Sequence, residues 1–188
     1  LDRLNDVLAG IDASVKAGIR SIKINAVLMK NTVDGDLVNL MNWIKDKPFS
    51  MRFIEIMRTG SNAALFEKQH VSSGTLKLKL MQEGWQIKPR GETDGPAVEF
   101  VHRDYLGSVG IIAPYSTSFC ESCNRLRVSS KGGLRMCLFG EKDHSLRDYL
   151  KSPDQKELLV AKIHQLIGGK EEHHYLNDDR FGLTNTLS

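Results

Sequence analysis

In Ser21-Ile22-Lys23-Ile24-Asn25-Ala26-Val27-Leu28 the side chains alternate, with Ile22, Ile24, Ala26 and Leu28 on one face and Lys23, Asn25 and Val27 on the other. A period of two is the pattern of a strand, so Lys23 and Asn25 share a face. Working back from this strand, Leu1, Leu4, Leu8, Ile11 and Val15 recur every three or four residues, which predicts an amphipathic helix closed at Gly18. Working forward, a turn at Asp34-Gly35 leads to Leu37, Leu40, Met41 and Ile44 at helical spacing, then Pro48 and a second alternating run, Met51 to Met57. The order helix, strand, helix, strand predicts parallel strands, so residues 1–60 read as the last βα units of an array. In such arrays functional groups lie at the C-terminal ends of the strands, where Met57 to Gly60 falls.

Past Gly60 the rhythm changes, and a second domain over 61–188 is expected. A helix from Ser73 to Glu83 ends at Gly84, and short strands follow at Trp85–Lys88 and Ala97–His102. Val98–Arg103 and Ser108–Ala113 flank Asp104-Tyr105-Leu106-Gly107, an antiparallel connection of hairpin length. Ser145 and Asp148 stand at capping-box spacing, Ser152-Pro153 opens a helix that runs to Gly168-Gly169, and the last twenty residues read as a tail. The fold class is α/β, with a smaller α+β part at the C-terminal end.

Composition narrows the function. Of 188 residues 40% are hydrophobic and 26% charged, which excludes a disordered or fibrous chain. Lys and Arg number 26 against 23 Asp and Glu, and a net charge of +3 demands neither nucleic acid nor an acidic membrane as partner. The apolar runs are far shorter than the roughly 20 residues that cross a bilayer, so a soluble, cytoplasmic protein is expected. Leu1 already lies inside a helical pattern with no initiator Met, which points to a piece of a longer chain.

The 3 cysteines are Cys120, Cys123 and Cys137, too few for a disulfide framework and too clustered for scattered core thiols. Cys120-Glu-Ser-Cys123 is a knuckle that turns two sulfurs toward one metal. Arg125–Ser129 and Leu134–Leu138 read as strands joined by Ser130-Lys131-Gly132-Gly133, and pairing Ser129 with Leu134 would set Cys137 opposite Leu126. Three thiolates suit an iron-sulfur cube with one iron left open. Zinc is equally compatible, with His144 as a fourth ligand. Arg125 and Arg127 share a strand face and offer two guanidinium forks suited to phosphate oxygens.

Cys120-Glu-Ser-Cys123-Asn-Arg125-Leu126-Arg127 and Gly133-Leu-Arg-Met-Cys137-Leu-Phe139, with Lys23-Ile-Asn25, Met51-Arg52-Phe-Ile-Glu-Ile-Met57, Gly95-Pro-Ala97 and Gly107-Ser-Val-Gly-Ile-Ile112, resemble the GTP 3',8-cyclase family of radical S-adenosylmethionine enzymes in molybdenum cofactor biosynthesis. Essentially the whole chain is covered. The resemblance implies the end of a partial (β/α) barrel followed by a domain whose cysteine-bearing hairpin holds a 4Fe-4S cluster. It implies that Cys120, Cys123 and Cys137 ligate that cluster and leave one iron open to the guanine of GTP. Arg125, Leu126 and Arg127 would line the GTP site, Lys23 and Arg52 would reach GTP from the barrel, and Met57 would contact S-adenosylmethionine. A homodimer, no nucleic-acid or membrane partner, and a product passed to the next enzyme of the pathway are implied too.

Two departures qualify it. The family's N-terminal Cys-x-x-x-Cys-x-x-Cys, which ligates a further 4Fe-4S cluster that cleaves S-adenosylmethionine, has no counterpart here, so this chain alone is expected to be inactive. The family's terminal glycine pair is also missing, since the sequence stops at Asn185-Thr-Leu-Ser188. A zinc-ribbon-like nucleic-acid-binding module is the alternative reading of the same basic, cysteine-bearing hairpin, although no aromatic platform is interleaved in it.

Overall fold

A computed structural model describes residues 2–58, 61–91, 94–116, 119, 123, 125–137 and 142–170. By its own contacts the chain divides into two units, Leu1–Met57 with Ala64–Pro114, and Arg58–Ala63 with Tyr115–Ser188.

In the first unit, helix α1 (Leu4–Lys16) precedes strand β1 (Ile22–Leu28), and helix α2 (Leu37–Ile44) precedes β2 (Phe49–Glu55). The expected turn at Asp34-Gly35 is instead part of a π-helical turn, Thr32–Asp36, that runs directly into α2. Helices α3 (Ala63–Gln69) and α4 (Ser73–Gln82) follow, then β3 (Gln86–Ile87), β4 (Val98–Val101) and β5 (Ser108–Ile112). Helix α3 lies where the sequence showed only a polar stretch.

The helix ends behave as the sequence indicated. Gly18 and Gly84 take φ of 76° and 89°, and the amides that follow them close Schellman motifs, Ile19 N donating to Ser14 O and Trp85 N to Leu80 O.

All five strands form one mixed sheet in the order β1-β2-β5-β4-β3. β1 and β2 run parallel with Lys23 beside Ser50 and Asn25 beside Arg52, as their helical connection requires. β5 pairs in parallel with β2 and in antiparallel with β4. One face of this sheet carries the core: Leu28, Phe53, Phe100 and Val109 are fully buried, joined by Ile44 of α2 and Leu76 of α4. Glu55 also points to that side and is 3% exposed. Its carboxylate accepts the Ser73 backbone N–H at 3.2 Å and lies 2.9 Å from His70 Nε2, so a buried charge meets the first turn of α4.

The second unit holds a three-stranded antiparallel sheet, β6 (Arg127–Val128), β7 (Gly133–Arg135) and β8 (His144–Ser145), in that order. After it a capping box at Ser152, with Gln155 completing it and Pro153 in the first turn, opens the chain into α5 (Lys156–Gly168). The Ser145–Asp148 box expected upstream does not form. The short 3-10 turn there, Arg147–Tyr149, is flanked by Leu146 and has no side-chain cap.

The β6–β7 hairpin is real, but its expected register is off by one. Val128 pairs with Leu134 and Arg127 with Arg135, and Ser129 N donates to Gly133 O. The loop is therefore three residues, Ser130-Lys131-Gly132, rather than four. Gly132 alone takes the left-handed conformation, φ 75°, which lets Gly133 return to the strand. A one-residue slip moves every side chain to the opposite face. The ladder ends at Arg127 and Arg135, so the expected placing of Cys137 opposite Leu126 does not form.

Candidate functional site

The residues singled out in the sequence fall into two groups of side chains, each within one unit. The first lies on the sheet face opposite the core. Lys23 and Asn25 are exposed there, and Ser50 and Arg52 follow on the adjacent strand. The pairing of β1 with β2 thus brings Lys23 and Arg52 to one face of neighbouring strands. Arg52 is not loose. Its Nε and Nη2 donate to Glu99 Oε1 at 3.0 and 2.7 Å, and the pair is largely sheltered, with side-chain exposures of 16% and 17%. Met57 stands half-buried just past the C-terminal end of β2.

The second group is the hairpin. Arg125 and Leu126 are exposed and Arg127 is half-buried at the start of β6. Directly opposed residues in an antiparallel pair lie on the same side, so Arg127 and Arg135 face the same way across β6 and β7. Like charges set opposite each other are unfavourable without an anion between them. Asp143 lies 3.7 Å from Arg135 Nε, beyond hydrogen-bond reach, and that buried Nε has no hydrogen-bond partner. This arginine was seen in the sequence but given no role.

Cys123 and Cys137 are both half-buried. Burial raises the Cys123 thiol, but the Arg125 backbone N–H, the Lys170 ammonium and the Arg125 charge together hold it below the usual thiol range. Lys170, just past α5, also donates to the carbonyl oxygens of Cys123 and Arg125 at 2.5 and 3.2 Å. Nothing in the local sequence marks Lys170, because it meets the knuckle only through the fold. Cys120 lies outside the described residues, and among those described no group of three His, Cys, Asp or Glu stands ready to hold a metal ion. The described donors are compatible with one: a thiol biased toward thiolate with a backbone N–H on its sulfur, and a second half-buried cysteine, Cys137. No helix among the described residues is long and apolar enough to cross a membrane.

A family model described as Molybdenum Cofactor Synthesis C matches residues 49–176. The chain belongs to this molybdenum cofactor synthesis family. Among curated members, it is 46% identical over 188 residues to a GTP 3',8-cyclase of Haemophilus influenzae (strain PittEE), covering 100% of this chain and 56% of that protein. Identity to the GTP 3',8-cyclase of Yersinia pestis is 46% over 187 residues, 100% of this chain and 57% of that protein. For Pasteurella multocida (strain Pm70) it is 46% over 188 residues, 100% and 56%. The match falls in the C-terminal part of these family members, so the chain spans little more than half their length.

Proposed function

We propose that this chain is the C-terminal portion of a GTP 3',8-cyclase, the enzyme that converts GTP to (8S)-3',8-cyclo-7,8-dihydroguanosine 5'-triphosphate by S-adenosylmethionine radical chemistry. Residues 1–60 complete a (β/α) barrel, and residues 61–188 form the domain that holds a 4Fe-4S cluster and GTP. The observation that supports this reading is the hairpin, whose register puts Arg127 and Arg135 on one side, with the half-buried Cys123 and Cys137 just outside it in sequence. A metal ligand and phosphate-binding forks then belong to the same small surface.

Cys120, Cys123 and Cys137 would hold the cluster, which when bound supplies an open iron able to accept a guanine donor atom. Arg125 and Arg127 hold the triphosphate while Leu126 lines the site. Lys23 and Arg52 reach the same nucleotide from the sheet, and Met57 touches S-adenosylmethionine. Fixing the ribose in this way directs a reactive radical at one carbon. The S-adenosylmethionine-cleaving cluster belongs to the N-terminal portion, so this portion alone is inactive, and the whole protein acts as a homodimer that passes its product to the next enzyme of the pathway.

Anaerobic reconstitution with iron and sulfide, followed by metal analysis and GTP titration, tests the reading. About four iron and four sulfide per chain are expected, with a chromophore perturbed by GTP. Alanine at Arg125 or Arg127 should weaken GTP binding while cluster content holds. One tightly held zinc, no chromophore and salt-sensitive binding to nucleic acid would establish the zinc-ribbon reading instead.

A further inference from the structure

Glu99 has no place in the assignment above, yet its carboxylate is the most heavily bonded side chain on the polar face of the sheet. It accepts Arg52 Nε and Nη2 on Oε1. It accepts Ser50 Oγ at 3.0 and 2.9 Å on its two oxygens and Ser108 Oγ at 2.8 Å on Oε2. These partners come from two strands, Ser50 and Arg52 from β2 and Ser108 from β5. In the sheet, Arg52 and Glu99 are both register partners of Gly110, one on each side of it.

Gly110 completes the arrangement. A Cβ there would lie 2.8 Å from Arg52 Cγ and 3.2 Å from Glu99 Oε1, so any side chain would push the arginine out of its place. Room is left for the pair, and hydroxyls are set to saturate the carboxylate.

We propose that Glu99 is a positioning residue that holds Arg52 in the orientation in which it meets a phosphate of the nucleotide. An arginine at a strand surface samples many rotamers, and the entropy of stopping it is lost on binding unless the protein has fixed it beforehand. Glu99 takes one edge of the guanidinium. Among the described residues nothing bonds to Nη1, the nitrogen at the other end of the fork, which remains a donor for a phosphate oxygen. Two serine hydroxyls share the carboxylate's charge, so the arginine is oriented without being fully neutralised.

This inference rests on the reading that Arg52 meets GTP, and the test separates the two. In the full-length, cluster-loaded protein, equilibrium dialysis gives the affinity for GTP and for guanosine, which lacks phosphate. Arg52→Ala and Glu99→Gln are each expected to weaken GTP binding about tenfold and leave guanosine unchanged, with the double variant no weaker than Arg52→Ala alone. Should Arg52→Ala bind GTP normally, the assignment of Arg52 falls and Glu99 loses its purpose with it. If Arg52→Ala weakens binding while Glu99→Gln leaves it equal or tighter, the positioning role alone is overturned and the ion pair is structural. Gly110→Ala guards against a Glu99 variant that fails to fold: it keeps every charge but displaces Arg52, and it must reproduce the phosphate-specific loss.

Discussion

The five-stranded sheet buries Phe53 and Phe100 completely and leaves Met51 and Ile111 only 3% and 4% exposed, whereas the three-stranded sheet offers Leu134, at 2%, as its deeply buried apolar side chain among the described residues. On the hairpin itself Val128 is 68% exposed. Each fully buried large aliphatic or aromatic side chain contributes roughly 1.5–3 kcal/mol. The first unit therefore has a hydrophobic core of its own, while among the described residues the second buries Leu134 and Leu146 deeply and leans on a tight turn, backbone pairing and the Lys170 contacts. Small units that cannot bury enough apolar surface commonly depend on metal or covalent staples. On this view the cysteines are as much a folding device as a chemical one, and the second unit should follow its ligand where the first ignores it.

The strongest way to break that contrast is to remove a thiol. Cys123→Ser in the reconstituted protein should speed amide exchange across residues 125–137 on the order of a hundredfold or more and leave β1 and β2 unaffected. Equal protection with and without the thiol would mean that the hairpin stands by itself. The converse effect is expected from Phe53→Ala, which empties the centre of the large sheet at a cost of about 3–5 kcal/mol. In protein reconstituted with the proposed cluster, chemical denaturation should show the first unit unfolding earlier while the cluster absorbance is retained until the second unit's own transition. Simultaneous loss of both signals would join the two units into one cooperative block.

How much of this was legible beforehand follows the same division. Strands β1 and β2 and helices α1, α2 and α4 announce themselves by local period, and their pairing follows from the helical connection. What no local pattern records is that β5 returns to lie beside β2. That pairing spans more than fifty residues, and it is what turns the hairpin after Gly95 into part of the first unit's sheet. On the polar face, Lys23 and Asn25 could be placed together from alternation, but the meeting of Arg52 with Glu99 could not, because that contact crosses β5. In the second unit the cysteine spacing was plain, but Arg125, expected to share a strand face with Arg127, lies before the two-residue strand β6. The register was misread because two adjacent glycines left the length of the turn ambiguous, and only one of them takes a positive φ.

That glycine allows the finest test of the contrast. Gly132 has φ 75°, and a Cβ there would lie 3.1 Å from Arg147 Cγ. Alanine pays a conformational penalty in the left-handed region, and the long side chain of Arg147 can yield by a few tenths of an ångström, so Gly132→Ala should cost about 1 kcal/mol. Asparagine tolerates that region better than alanine, and Gly132→Asn should lose less. A backbone penalty predicts this order, whereas simple crowding by Arg147 predicts the reverse, because asparagine is the larger. Thermal unfolding read from the iron chromophore ranks the two variants. The loss should be confined to the second unit, since the turn makes no part of the large sheet. An alanine variant as stable as the parent would show that the three-residue loop is not what sets the register of Val128 against Leu134.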